Sequence, residues 1–563
     1  MKHRRNSATL KQSTEQGGRL YLRRRDTIAR FACHDARVRN RQVLAGVMCL
    51  VISVSLVACS SAGGSTSPSL PNRVTAADKA VPFKPCEPAV CEGEIDGYRY
   101  QIVMPEKWNG SLMLYSHGFR STNPTPPAGE AAFDGTPEIA PGWSMGSKGV
   151  GEGLLAGGYA LAGAAAKVGG WQVDQQVEAS KLLRSHFAEK IGTPDRVYAW
   201  GDSVGAVASA KLAQTEDWVS GAAPLCGQLA GLNPNYDLIL DAEAAVKAVL
   251  YPDMKLAGFT SIDEARSTYA GAMKAVRKAV KDNYGPGATK LAAIGIAAAI
   301  PRQSATEDGA GISGSAKAVT QALTVLLARG TVDRFSMEQQ FGGNPSTNVG
   351  TNYTARVTQK DVDRVDVFEP GTLEKTIKLI DSSPRVQPVA SAREAAAKSG
   401  ALTGQIRVPT VSLHTEFDSQ AIVQNDTVLV VQAANSGREQ ERLLKINVTS
   451  PPIFYSANKV TRYGAGHCNF TPESVIGTVV SLDDWVRNGA YPSLRSTEEA
   501  LGSDSGFNPN YRLARWPGGS AIPGTVQGMA SESAKVSPGT ASVSPPDVSS
   551  SPVPELSSAP PPG

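Results

Sequence analysis

The chain has 563 residues, with 56 Lys and Arg against 52 Asp and Glu, a net charge of +4. The surplus sits in the first 58 residues, where twelve Lys/Arg face only Glu15, Asp26 and Asp35, so the remainder carries −5. With no basic patch interleaved with aromatic residues further on, this distribution excludes nucleic-acid binding as the meaning of the positive charge.

Residues 1–58 read as an export segment. The basic stretch leads into a charge-free apolar run, Gln42 to Ala58, ending in Leu56-Val57-Ala58-Cys59. A basic region, a short apolar core and small residues before a cut site are the parts of a secretory signal. The run is near the lower length limit for a membrane-spanning helix, which is the competing reading. Leu56 to Cys59 resembles the lipobox of bacterial lipoproteins. That resemblance implies that Cys59 is lipid-modified and becomes the first mature residue, anchored to the membrane and facing away from the cytoplasm. Residues 59–82 then form a flexible Ser/Gly-rich tether. At the other end, residues 517–563 hold ten prolines among Ser, Gly and Ala and are expected to be disordered.

Strand and helix patterns alternate over 83–230. Tyr98–Met104 and Ser111–Ser116 read as strands, the second running into His117-Gly118-Phe119. Gly158–Gly163 is the next strand, and Gln175–Phe187 has helical spacing of its apolar residues. Arg196–Trp200 is a strand, followed by Gly201-Asp202-Ser203-Val204-Gly205, a helix from Ala206, and an apolar stretch to Leu225. This alternation predicts parallel βαβ units. Residues 231–400 change texture, with Ala, Lys and acidic residues at helical period. Further helices are expected at 315–329 and 371–381, with a loop over 341–352, so the segment is expected to be a helical lid or cap insertion. The strand pattern returns at Val408–Leu413 and Lys459–Tyr463, and a helix follows from Pro472 to Val486, within a second core segment 401–510. Residues 435–458, with Pro451-Pro452, are expected to be an inserted loop.

The chemistry centres on Gly201–Gly205. A serine hydroxyl is a poor nucleophile at its own pKa and needs an adjacent base. A histidine oriented by a carboxylate is the usual arrangement. Only His414 and His467 lie downstream of Ser203. The G-x-S-x-G pattern between strand and helix, with acid and histidine candidates following in that order, resembles the α/β-hydrolases. The resemblance covers residues 95–230 and 405–490. It implies an α/β-hydrolase fold: a mostly parallel sheet flanked by helices, with a large helical lid. It assigns Ser203 as nucleophile and His467, in the loop Gly464 to Phe470, as base. His414-Thr415-Glu416-Phe417-Asp418 is similar to the family's H-G-x-x-D, which makes Asp418 the acid. Thr415 replaces the family's glycine, so Glu416 is the alternative acid, and His414 is expected to be structural. The oxyanion donors implied are the backbone N–H groups of Phe119 and Val204. Asp202 is expected to brace the turn, and Trp143, Trp171 and the 342–352 loop are candidates to shape a substrate pocket. No cofactor and no metal are expected.

Of seven cysteines, Cys33 and Cys49 fall in the leader and Cys59 is the lipid site. Cys86, Cys91, Cys226 and Cys468 remain, an even number with three possible pairings in an oxidising compartment. Cys86–Cys91 would close a short loop, and Cys226–Cys468 would tie the His467 loop to the strand ending at Leu225. Four free, buried thiols are the alternative. Some α/β-hydrolases bridge a cysteine before the nucleophile to one after the histidine. Asp202 stands at that first position here, a departure from the tannase and feruloyl esterase pattern.

The expected function is an exported, lipid-anchored serine hydrolase that cleaves a carboxylic ester through an acyl-enzyme on Ser203, with a small-molecule ester or peptide as substrate. A serine aminopeptidase of the secreted tripeptidyl type would share fold, triad and lid. It would need a group holding the substrate amino terminus, and Glu243, Glu264 and Glu338 offer no pair that singles itself out. A non-enzymatic cell-surface binding protein on the same scaffold would predict a broken triad.

Overall fold

The computed structural model describes residues 80–86, 90–126, 131–144, 146–282, 285–302, 311–367, 370–450 and 465–517. The leader, Cys59, the tether up to 79, the tail beyond 517 and the strand expected at 459–463 lie outside the described residues.

Short runs of β-branched, aromatic and small apolar residues build one eight-stranded sheet. Its strands are β1 (Val90–Ile95), β2 (Tyr98–Val103), β3 (Ser111–Ser116), β4 (Ala160–Ala164), β5 (Arg196–Asp202), β6 (Gly221–Leu225), β7 (Thr410–Thr415) and β8 (Leu444–Thr449). Their order is β1-β2-β4-β3-β5-β6-β7-β8. β1, β2 and β4 pair antiparallel, and every pairing from β4 through β3 to β8 is parallel. Strands β3, β4, β6 and β7 are buried along their whole length, as expected for parallel strands covered on both faces.

Helices α1 (Gly149–Ala156), α2 (Val173–Lys190) and α3 (Val204–Thr215) connect the first strands. Between β6 and β7 the chain is helical: α4 (Leu232–Val249), α5 (Ile262–Val280), α6 (Pro286–Ala297), α7 (Gly311–Ala328), α8 (Arg334–Phe341), α9 (Gln359–Val365), α10 (Thr372–Asp381) and α11 (Ala390–Lys398). Beyond β7 come α12 (Gln424–Ser436), α13 (Arg438–Arg442), α14 (Pro472–Asn488) and α15 (Leu494–Leu501). Pro472 takes the first helical position of α14, where its missing N–H removes nothing, and Thr471 caps it by accepting from Ser474 N–H.

Alternate side chains of the central strands feed two cores. On one face, Met113, Tyr115, Tyr198, Trp200 and Leu413 meet α1 and α14. On the other, Leu112, Leu114 and Val197 meet α2. A third apolar cluster runs without a break from Ala199 of β5 through Val207 of α3 to Leu240 (α4), Ile294 (α6), Leu323 (α7) and Ile377 (α10). The helical segment therefore continues the core outward from α3, the helix that follows the Gly201–Gly205 elbow. Buried charge pins it as well. Arg334 and Glu243, both fully buried, pair at 3.0 Å, and Arg334 also donates to Gly330 O, Asn344 Oδ1 and Ser346 Oγ. An unpaired charge at such depth would be costly.

The strand order, with the sharp turn after β5, is that of an α/β-hydrolase fold. Two differences from the sequence reading stand out. The stretch expected as an inserted loop over 435–458 instead contains the end of α12, then α13, then β8. Leu444-Lys-Ile-Asn-Val-Thr449 alternates apolar and polar residues, a signal overshadowed by the downstream Pro451-Pro452. β1 carries no strand signal in the sequence because its Glu92, Gly93 and Glu94 are exposed at the edge of the sheet. Among the described residues no helix is long and apolar enough to cross a membrane.

Candidate active site

β5 delivers Ser203 to the C-terminal edge of the sheet. Ser203 adopts φ 54° and ψ −115°, outside the regions open to most L-residues, and α3 starts at the next residue. The turn is pressed against the end of β3: a Cβ on either Gly201 or Gly205 would run into the Ser116 carbonyl. Ser203 N–H donates to Leu225 O at 2.9 Å, which ties the turn to β6.

The structure brings Ser203, His467 and Asp418 together from three distant parts of the chain. Ser203 Oγ lies 2.8 Å from His467 Nε2. His467 Nδ1 lies 2.8 Å from Asp418 Oδ2 and 3.0 Å from Oδ1. The carboxylate can only accept, so Nδ1 carries the proton and Nε2 offers its lone pair to the serine hydroxyl. Asp418 is fully buried, and burial alone would raise its pKa. Its neighbour His467 and accepted hydrogen bonds outweigh this and hold the carboxyl below its ordinary value. The Gln420 and Ala421 N–H groups donate to Oδ1 at 2.9 Å each, and Cys468 N–H to Oδ2 at 3.1 Å. Asp418, not Glu416, faces His467; Glu416 N–H instead bonds Thr449 O at 2.8 Å.

Cys226 and Cys468 form a disulfide with Cα atoms 5.3 Å apart, and Cys86 and Cys91 form another at 5.2 Å. The first joins the residue after β6 to the residue after His467. Both its cysteines sit at positive φ, 45° and 50°, an uncommon conformation for residues other than glycine. Among the described residues one trio of ligating side chains is close enough to hold a metal, Cys226, His467 and Cys468. Both sulfurs are committed to the disulfide, and His467 is committed to Ser203 and Asp418.

Phe119 and Val204 flank the serine. Gly118 packs so closely that a Cβ on it would stand 3.5 Å from Ser203 Cβ, and Phe119 follows directly. Val204 is the first residue of α3, where backbone N–H groups lack an intrahelical acceptor. His117 behind them is buried, with Nδ1 on Gly118 O at 2.7 Å and Nε2 accepting from Ala166 N–H at 3.4 Å. One donor and one acceptor fit a neutral ring, and burial, aided by Arg120, lowers its pKa to about 4. Asp202 accepts from Tyr115 Oη at 2.8 Å, which braces the elbow against β3.

Beside Phe119 opens a cavity of about 340 Å³, lined by Phe119, Gly170, Trp171, Tyr236, Met337 and Gln340 among others. Three of these, Tyr236, Met337 and Gln340, come from the helical segment. Of the expected pocket residues, Trp171 lines this cavity. Trp143 lies elsewhere, packed on Gly151 of α1 with Lys148 over its ring. The 342–352 loop lines a different cavity of about 810 Å³, through Thr347, Val349, Gly350 and Thr351. Sequence reading also missed Arg329, whose guanidinium stacks 3.8 Å from the centre of the Phe119 ring. It belongs to a π-helical turn, Arg329–Asp333, between α7 and α8, for which no local pattern gives a signal.

No protein-family model and no curated protein sequence matches the chain. Several solved structures are similar to it. An esterase from Aspergillus oryzae is 12% identical with a TM-score of 0.34, over 72% of this chain and 81% of the other. The rice cell wall degrading esterase LipA from Xanthomonas oryzae, in a ligand-bound form, is 13% identical with a TM-score of 0.30, over 71% and 86%. An acylaminoacyl peptidase from Pyrococcus horikoshii is 8% identical with a TM-score of 0.26, over 66% and 38%. Identities and scores this low carry nothing about substrate. The α/β-hydrolase fold rests on this chain's own strand order and on the elbow after β5.

Proposed function

We propose that the protein is a serine hydrolase that cleaves a carboxylic ester through an acyl-enzyme on Ser203. The single observation that carries this reading is the hydrogen-bonded series Ser203–His467–Asp418. His467 Nε2 takes the hydroxyl proton as Ser203 Oγ attacks the ester carbonyl, and Asp418 stabilises the imidazolium that forms. The Phe119 and Val204 N–H groups receive the developing oxyanion. His467 returns its proton to the leaving alcohol, and water then repeats the sequence to release the acid. The cavity beside Phe119 is the natural seat of the substrate's acyl part.

The esterase reading is preferred to the aminopeptidase one because the candidate glutamates have other partners. Glu243 pairs with Arg334, Glu338 accepts from Gly258 and Phe259 N–H, and Glu264 pairs with Lys255. Export and lipid anchoring at Cys59 rest on the leader sequence, and Cys59→Ser should leave the exported protein without label from a radioactive fatty acid.

The test of function uses short-chain p-nitrophenyl esters beside peptidyl arylamides. Ser203→Ala should lower ester turnover by at least about 10³-fold, and His467→Ala should abolish labelling by a fluorophosphonate. Unchanged ester turnover in Ser203→Ala would overturn the mechanism. Preference for the arylamides would move the assignment to a peptidase.

A further inference from the structure

The proposed triad is built on a second aspartate–histidine pair that its chemistry does not use. His414, at the end of β7, is fully buried. Its Nδ1 lies 2.6 Å from Asp426 Oδ2 on α12, and its Nε2 lies 2.7 Å from the Ala421 carbonyl. Asp426 is itself buried and accepts the Ser412 hydroxyl through its other oxygen at 2.6 Å. His117 offers the contrast within the same site: its ring meets one acceptor and one donor. The His414 ring meets a carboxylate on one side and a carbonyl on the other. A neutral imidazole has one N–H and would aim a lone pair at one of those oxygens, whereas an imidazolium donates to both.

Ala421 is held from both sides. Its C=O accepts from His414, and its N–H donates to Asp418 Oδ1. A continuous series of hydrogen bonds therefore runs from Asp426 through His414, Ala421, Asp418 and His467 to Ser203. We propose that His414 is a permanently protonated positioning residue. Held by Asp426, it clamps the 418–421 turn through the Ala421 carbonyl and so fixes the carboxylate that orients His467. Thr415, which stands where a glycine is expected, ends β7 and is not among the residues at positive φ, so its position does not call for glycine.

The charged and titratable groups around the ring are consistent with that state. Asp426 faces it from α12 and Asp418 from the turn, while Tyr511 approaches Asp426 from the C-terminal segment. The two aspartates raise the pKa of His414 against the opposing effect of its burial.

The positioning role rests on the hydrolase reading; the protonation state does not, and the two are tested separately. In ¹⁵N-histidine-labelled full-length protein carrying Ser203→Ala, His414 should show two protonated ring nitrogens at pH 8, with the signal assigned by its absence in His414→Gln. A neutral tautomer there would overturn the proposal whatever the enzyme's activity. In the active protein, His414→Gln and Asp426→Asn should each lower kcat by about tenfold or more with KM held within twofold. In an Asp418→Asn background, His414→Gln should have no further effect, because it acts through that carboxylate. Full additivity in that background, or native kcat in a folded His414→Gln protein, would sink the positioning role.

Discussion

Opening the Cys226–Cys468 disulfide should damage stability and turnover together. Opening Cys86–Cys91 should touch only stability, and less of it. The long bridge joins residues 242 positions apart and the short one residues 5 apart. In the chain-entropy account, loop lengths of that size correspond to about 5.5 and about 2 kcal/mol of unfolded-state restriction. Both bridged cysteines sit at positive φ, so opening the bond lets up to about 1 kcal/mol of strain at each relax against the hydrogen bonds they make to Leu413 O and Asp418. A net loss of about 3–4 kcal/mol is therefore expected for Cys226→Ser with Cys468→Ser, against about 2 kcal/mol for Cys86→Ser with Cys91→Ser. Urea unfolding followed by tryptophan fluorescence reads both. The catalytic consequence follows from position, since Cys468 directly follows His467 and its N–H donates to Asp418. A shift of about 1 Å in the His467 ring would lower kcat by about 10²-fold. Equal stability losses for the two pairs would refute the loop argument. Wild-type kcat in the long-bridge variant would refute the claim that the disulfide positions His467.

Three further outcomes follow from the site. Asp418→Asn should lower kcat by about 10⁴-fold while leaving the fold intact, and Glu416→Gln should stay within a few-fold, measured on the same ester. His117 is held neutral with its pKa lowered to about 4, while in the unfolded chain it takes up a proton near pH 6.5. Acid therefore favours unfolding: its stability contribution is complete above about pH 6.5 and declines by about 3 kcal/mol as pH falls to about 4. His117→Asn should flatten that decline in urea midpoints taken between pH 7 and pH 4.5, and an unchanged slope would show that the ring is not neutral in the folded protein. Trp171→Ala should change the relative kcat/KM of short, long and aromatic acyl esters, because Trp171 lines the cavity beside Phe119. Trp143→Ala should leave those ratios alone.

The parts of the site that could be read from sequence are those whose signal is local. The elbow announces itself because strand, two glycines and helix must be contiguous for the turn to pass under the Ser116 carbonyl. His467 and Asp418 were legible through chain order and their place after strand patterns. The strand expected at 459–463 lies outside the described residues, and the described strand nearest before His467 is β8, which the sequence reading takes for part of a loop. The pocket was not legible, because its walls are joined only in three dimensions. Arg329 meets Phe119 across 210 residues, and Trp143 and Trp171 look alike in sequence but pack on different parts of the fold. The charge on His414 was equally hidden, since it depends on which atoms of Asp426 and Ala421 the ring meets.

Strain marks the same ground. Of the five non-glycine residues at positive φ among those described, three are Ser203, Cys226 and Cys468, all within the site. Each such conformation costs about 1–3 kcal/mol and survives only where the surroundings over-determine it. Here the surroundings are identifiable. Leu225 O holds the Ser203 N–H, Leu413 O holds the Cys226 N–H, and Asp418 holds the Cys468 N–H. The three strained residues thus hang on β6, β7 and the proposed triad acid, and the disulfide closes the circuit between the last two. A site strained and braced in this way is set before any substrate arrives. In the proposed mechanism its hydroxyl, imidazole and carboxylate need little reorganisation, which is the condition under which fixed dipoles stabilise a transition state most.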